Sequence, residues 1–276
     1  MNLRAVWVEN TVRRQWQQKK WRGKIYKVFK RQIEAAAEAY QSVQTGILFN
    51  IDQVVKASEI GGVIYRLSVD VGVREANAAY REVQEQVTKR ASLGFDSEFA
   101  QAIIDYLEKY FLITVNNINE YTKELILEVI AKGVAEGKGQ DEIVRGILEL
   151  KVISGRRANT IVRTEVNRAS NIGRVIGAKK TGLLLKKIWS SANQTRTRGS
   201  KPKDKADHLH MNAQKVDMDE KFIDPRNGAR LDQPGDPNAP IENTVNCRCA
   251  VAFEPQKDAM GNYIRIEKPL YENVFN

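Results

Sequence analysis

The sequence predicts an α+β protein, with a mainly helical N-terminal half and a small α+β C-terminal domain of short strands and long loops. Three observations carry this expectation. All seven prolines (Pro202, Pro225, Pro234, Pro237, Pro240, Pro255, Pro269) lie beyond residue 201, so the first two hundred residues lack the strongest helix breaker. In that stretch apolar residues recur at spacings of three and four, as in Ile33, Ala36, Ala37, Tyr40, Val43 and in Phe99, Ile103, Tyr106, Leu107, Tyr110. After Gly182 the pattern changes to short apolar or alternating runs divided by loops rich in Pro, Gly, Asn and charge.

The elements follow in order. Residues 1–30 read as a basic aromatic arm, in which Trp7, Trp16, Trp21, Tyr26 and Phe29 alternate with Arg13, Arg14, Lys19, Lys20, Arg22, Lys24, Lys27 and Lys30. Such a helix suits DNA phosphates, an anionic membrane surface touched transiently, or a partner's groove, or else packs its aromatics on the next helix of the same chain. Residues 31–134 read as a helical domain, with hinges expected near Gly61-Gly62, Gly94 and the Gly133 to Gly139 stretch. The last of these is a boundary: Gly139 can cap a helix with Glu142 three residues on, ahead of Ile143, Val144, Ile147 and Leu148. A separate helix fits Arg156 to about Lys180. On its wheel Ala158, Ile161, Ala169, Ile172 and Ile176 share one stripe, while Arg156, Arg163, Asn167 and Arg174 share the opposite face. Strands are expected at Leu183 to Trp189, Val216 to Ile223 and Val245 to Phe253, with long loops at Ser190 to Asp207 and Asp224 to Asn243. A tail covers residues 257–276.

Size and composition narrow the function classes. A chain of 276 residues, 42% hydrophobic and 28% charged, can bury a core and is not disordered. No apolar run reaches the ~18 residues that a membrane span needs, and no signal segment follows Met1-Asn2-Leu3-Arg4, so synthesis in the cytoplasm is expected. Two cysteines exclude a secreted disulfide framework. The net charge of +10 is unevenly placed: residues 1–30 hold nine Lys/Arg and one acid, residues 151–203 hold fourteen and one, and the remainder is net acidic. Basic blocks set in an acidic body point to a polyanionic partner.

Arg163-Thr164-Glu165-Val166-Asn167, then Ala169, Asn171 and Gly173, then Trp189, Asp207-His208, Phe222, Gly235-Asp236-Pro237 and Asn246-Cys247-Arg248-Cys249 occur in one order. That ordered set resembles the Mu F-like phage head morphogenesis family over residues 135–256. The resemblance implies a minor capsid component of a tailed bacteriophage that associates with the portal protein or the capsid inner surface and with packaged double-stranded DNA. It further implies a part in head morphogenesis or in genome delivery and ejection, without enzymatic activity, and residence in the virion after assembly in the host cytoplasm. Two departures stand out. A basic stretch, Arg196 to Lys205, looks inserted between Trp189 and His208. Asn212-Ala213 stands where many relatives have a turn ending in glycine, which leaves the turn geometry open.

Candidate site residues follow. DNA contact is expected from Arg156, Arg163, Asn167, Arg174, Lys179, Lys180, Arg196, Arg198, Lys201 and Lys203. His208, His210, Cys247 and Cys249 are the whole complement of His and Cys, and all lie within 42 residues. In extended chain i and i+2 project to one side, so two such pairs could supply four zinc ligands, although free buried Cys is equally an ordinary core residue. No other cofactor is expected. A metal-dependent nuclease acting on phage or host DNA is the alternative function, but it lacks the convergent carboxylates of a two-metal site. Glu165, Trp189 and Arg248 are expected to be structural. Glu165 falls in the apolar stripe, where a carboxylate needs a partner from another element, Arg248 first and His208 second.

Overall fold

A computed structural model describes residues 2–45, 49–88, 96–192, 195 and 197–266. Four long helices dominate: α1 (Leu3–Gln41), α3 (Ala57–Thr88), α4 (Asp96–Ala135) and α5 (Gln140–Lys179), with the single turn α2 (Ile51–Val54) between the first two. The C-terminal part holds β1 (Leu185–Ser190), β2 (Lys215–Asp217), β3 (Phe222–Ile223), β4 (Arg230–Leu231), the short α6 (Ile241–Thr244) and β5 (Ala250–Pro255). This is the expected α+β arrangement.

The residues form two compact units, one of Met1–Gln18, Leu67–Glu108 and Arg163–Asn276, the other of Lys19–Arg66 and Lys109–Val162. These units cut across the boundaries expected at residues 30, 134 and 256, because each long helix has part of its length in either unit.

The second unit is all helix. Ile33, Ala36 and Ala37 of α1, Val55, Ile126 of α4, and Ile143, Ile147 and Leu150 of α5 form its buried cluster. The basic arm is the start of this helical packing: Trp21, Ile25, Val28 and Phe29 are buried, while Lys19, Lys20, Arg22, Lys24 and Lys27 are exposed. Val8, Val12 and Trp16 of the same arm remain exposed, and no helix among the described residues is long and apolar enough to cross a membrane. Gly61-Gly62 is not a hinge but lies inside α3, where a Cβ at Gly61 would stand 3.4 Å from Val115, so a small residue suits the packing. Gly94 lies outside the described residues. The boundary before α5 is as expected: the Glu142 carboxylate accepts the Gly139 N–H at 3.2 Å, and Gly137, at φ +68°, takes the left-handed conformation that ends α4. The helix expected from Arg156 is the continuation of this same α5. Nothing breaks it, since Ser154 turns its hydroxyl back onto the Leu150 carbonyl at 2.9 Å and thus satisfies itself within the helix.

In the first unit β1 is the centre of an antiparallel sheet of order β2-β1-β5, with Trp189 opposite Val251 and Leu185 opposite Pro255. β3 and β4 pair separately, so the expected strand at Val216 to Ile223 is two short ones joined by a turn. The last strand begins only at Ala250, and the cysteines precede it. Leu185, Trp189, Met211, Phe222, Leu231, Val251 and Phe253 pack with Ala79 and Val83 of α3 and Val175 and Ala178 of α5. Burying these side chains contributes about 1.5–3 kcal/mol for each large one.

Three backbone positions decide the local geometry. Where α5 crosses α3, a Cβ on Gly177 would stand 1.9 Å from the Ala76 carbonyl oxygen, and one on Gly173 2.2 Å from that of Gly72. The helices approach so closely that only glycine fits. Ala213 ends its turn at φ +67°, a left-handed conformation that costs an L-residue about 1–2 kcal/mol; this settles the turn geometry, and the position is one that glycine would suit.

Gly177→Ala should lower the unfolding free energy by about 3 kcal/mol in denaturant melts, the upper range for overpacking, because backbone cannot yield as a side chain can. Gly155→Ala, also in α5 but with nothing within 4 Å of the new Cβ, should instead raise it by up to about 1 kcal/mol. Ala213→Gly should raise stability by about 1 kcal/mol in the same assay, through relief of the positive φ.

Candidate functional site

From Thr164 to Lys179 every side chain of α5 except Arg168 is buried, on its polar face as well as on its apolar one. The expected arginine face is thus not a solvent face. Arg174 is 1% exposed, and its guanidinium binds Glu82 of α3 at 2.6 Å and the Val251 carbonyl at 2.9 Å. Burial pushes the Glu82 carboxyl up, but Arg174 and Arg13 outweigh it and hold the group below the ordinary carboxylate value. Asn167, 2% exposed, accepts from Arg14 of α1 at 2.7 Å. Lys179 is buried beside Asp219. These three residues are corrected from DNA contacts to internal struts, because neighbouring acids, amides and carbonyls occupy the groups that phosphates would need.

Arg14 ties this face together. It reaches Ser170 at 2.8 Å, Asn167 at 2.7 Å, Asn171 at 2.9 Å and the Cys249 carbonyl at 2.9 Å. Burial lowers its guanidinium to about 10, so it stays charged at neutral pH. Asn171 in turn accepts from the Val251 N–H at 3.0 Å and donates to the carbonyls of Pro234 and Cys249. Arg163 donates to the Asn246 side chain at 2.8 Å, and Thr164 accepts the Asn246 N–H at 3.1 Å. The polar residues of the Arg163 to Asn171 segment are a latch on the chain entering β5.

Glu165 is buried, 5% exposed, as expected, but its partner is not from another element. Arg168, one turn along α5, holds both carboxylate oxygens at 2.9 and 2.8 Å and donates to the Gly235 carbonyl at 3.1 Å. Arg248 points to solvent, and its carbonyl accepts from the Trp7 indole at 3.0 Å. The i,i+3 spacing on one helix puts a long Arg side chain within reach, a pairing that attention to Arg163 alone overlooks. Burial raises the Glu165 carboxyl above its ordinary value, and Arg168 offsets only part of that.

The other expected DNA residues differ in placement. Arg156, Lys201 and Lys203 are exposed, Arg163, Lys180 and Arg198 half-buried, and Arg196 lies outside the described residues. Arg198 donates to the Val245 carbonyl.

Of the four expected metal ligands, three converge. The Sγ atoms of Cys247 and Cys249 each lie 3.6 Å from Nδ1 of His208, and all three residues are buried. Asn246, at φ +61°, turns the chain just before them, and the extended segment that follows sets both sulfurs on one side. The Cys249 N–H donates to the Cys247 sulfur at 3.4 Å. A hydrogen bond from Cys249 and the charges of His208 and Arg198 favour the Cys247 thiolate, whereas burial and that neighbouring thiolate push the Cys249 thiol up. His210 does not join them. Residues 208–210 form a turn rather than extended chain, so i and i+2 diverge, and His210 Nδ1 pairs with Asp207 at 2.8 Å with 69% of its side chain exposed. Trp189 packs edge-on against His208 at 5.1 Å. Sequence reasoning missed Arg14 and Glu82, whose only signal was a basic residue in a basic arm and an acid in a long helix.

Comparison with known proteins agrees with this frame. Residues 124–252 match the family described as "Phage Mu protein F like protein". The chain is 28% identical over 178 residues to "Minor head protein GP7" of Bacillus phage SPP1, covering 62% of this chain and 54% of that one. It is 32% identical over 136 residues to "NAD(+)--arginine ADP-ribosyltransferase EFV" of Enterococcus faecalis, covering 47% of this chain and 26% of the relative. It is 23% identical over 131 residues to "Uncharacterized protein YqbB" of Bacillus subtilis, covering 48% and 41%. The chain therefore spans about half the length, or less, of these curated relatives. No solved structure matches.

Glu165 yields a pH prediction. With its folded carboxyl above the ordinary 4.5, the folded state keeps a proton that the unfolded state has released. The stability it contributes is full below that value and is lost as pH rises through the raised one. In denaturant melts from about pH 4 to about pH 8, wild type should lose stability relative to Glu165→Gln; a pH-independent difference would refute the assignment. The latch on α5 and the three-residue cluster beside it lie within residues 124–252, the segment that is similar to the Phage Mu protein F like family.

Proposed function

We propose that the protein is a structural component of a bacteriophage head, docked on the portal protein or the capsid inner surface and in contact with packaged double-stranded DNA during head morphogenesis or genome delivery. It would be made in the host cytoplasm and kept in the virion. The observation that carries this reading is the match of residues 124–252 to a phage head family, joined by a relative named for the head. The DNA part is supported by the basic residues that remain exposed after folding: Lys201, Lys203 and Lys205 in the loop before His208, and Arg156. With no groove-reading motif, recognition rests on charge and is independent of sequence.

The nuclease alternative finds little support in the geometry. Asp207, the acid next to His208 in sequence, is engaged by His210 at 2.8 Å and faces Arg226 at 3.6 Å. Cys and His donors also suit zinc better than the carboxylate-rich two-metal sites of nucleases.

Duplex DNA binding should weaken steeply with salt. Changing Lys201, Lys203 and Lys205 to Glu should flatten the plot of log affinity against log salt by about 0.9 for each phosphate that the loop no longer neutralises. An unchanged slope would remove this loop from the interface. Incubation with plasmid and Mg²⁺, Mn²⁺ or Zn²⁺ should leave the DNA intact; cleavage that disappears in His208→Ala would establish the nuclease instead.

A further inference from the structure

The geometry points to a zinc centre held by Cys247, Cys249 and His208, with an exchangeable fourth ligand. It is independent of any role in the phage head, because it rests on the donor atoms alone. Zinc bound tetrahedrally has Zn–S near 2.3 Å and Zn–N near 2.0–2.1 Å, so each sulfur should lie about 3.6 Å from the ligating nitrogen and about 3.8 Å from the other sulfur. Both Sγ···Nδ1 separations are 3.6 Å, and the three donor atoms lie within 4.8 Å of one another. One imidazole nitrogen facing two sulfurs at that distance is a tetrahedral edge repeated twice. A single thiol donating to the imidazole would account for one of these contacts and not for the other.

The surroundings agree with two sulfurs that carry negative charge. The Cys249 N–H is directed at the Cys247 sulfur at 3.4 Å, the kind of backbone donor that a metal-bound thiolate accepts. The buried Trp189 indole packs edge-on against His208 at 5.1 Å and walls the site. Soft sulfur and imidazole donors without a carboxylate select zinc over magnesium, calcium or manganese.

Three protein ligands leave one position. Among the described residues no other His, Cys, Asp or Glu converges with these three, and His210 is held away by Asp207. The cluster instead lines a cavity of about 290 Å³ whose other walls include Trp7, Thr11, Thr197 and Arg198. A water or a small anion occupies the fourth position, and the adjacent guanidinium favours the anion. A site with an open position differs from the closed four-ligand type that His208, His210, Cys247 and Cys249 would have made.

The full chain, purified without chelator, should contain one zinc per molecule by elemental analysis; no metal, or a different metal, would overturn the assignment. Cys249→Ser and His208→Ala should reduce zinc to background, whereas His210→Ala should keep it. Loss of zinc in His210→Ala would restore the four-ligand arrangement and refute this one. Because the first two variants remove buried groups, wild type gives the independent test. Co²⁺ exchanged for zinc should show sulfur-to-cobalt charge-transfer bands of two thiolates, and bands of no thiolate would refute the site. Its visible bands should shift when azide or thiocyanate is added. A spectrum unmoved by either anion would refute the open position.

Discussion

The fold depends on satisfying the polar face of α5 out of contact with water. A buried guanidinium or amide without partners costs several kcal/mol, so Asn167, Asn171 and Arg174 can be interior only if other elements bring matching groups to them. α1 brings Arg14, α3 brings Glu82, and the chain entering β5 brings the carbonyls of Cys249 and Val251. Each element is thereby fixed in register against the same helix. Apolar packing alone would tolerate sliding; this set of directional bonds does not. The stability of such charged networks need not exceed that of a greasy interface of equal size, and what they supply here is a defined arrangement of parts.

The cysteine and histidine cluster is a consequence of that arrangement. Asn246 is held through its backbone N–H by Thr164 and through its side chain by Arg163, and the Cys249 carbonyl is held by Arg14 and Asn171. The two cysteines are fastened at both ends before any ligand arrives. His208 is placed independently, between the Trp189 ring and a loop in which Asp224 accepts the Asp207 N–H at 2.8 Å and an Asn243 amide at 2.7 Å. Donors preset in this way lose little freedom on binding, which is the condition for a tight site.

Much of this is legible in the sequence, and what is not has a physical reason. The 3.6-residue period marks the long helices, the Gly139–Glu142 spacing marks the start of α5, and the i,i+2 cysteines place two sulfurs on one side. The wheel of α5 divides it correctly into two faces, but those faces are not core and solvent, because periodicity separates polar from apolar residues and not hydrated from desolvated polar ones. Deciding between those needs the partners, and Arg14 stands 153 residues from Asn167. Glu165 shows the converse: its burial follows from its apolar neighbours, while its partner is three residues away. His210 falls outside the cluster because a turn at 208–210 abolishes the alternation that a strand would have had.

The separations in this network also bear on how the chain acquires its fold. Ser190 donates to the Leu3 carbonyl across 187 residues, Arg14 to Cys249 across 235 and Trp7 to Arg248 across 241. On the ribosome α1 is made before any of these partners exists, and the last of them comes only with the approach to β5. Only the first part of α1, up to Gln18, must wait for that strand, since the rest packs in the helical unit made earlier. Bonds of such high sequence separation slow folding and lengthen the exposure of sticky surface. Completion of β5 is therefore the event that commits the start of α1, and truncation near residue 250 would release both together.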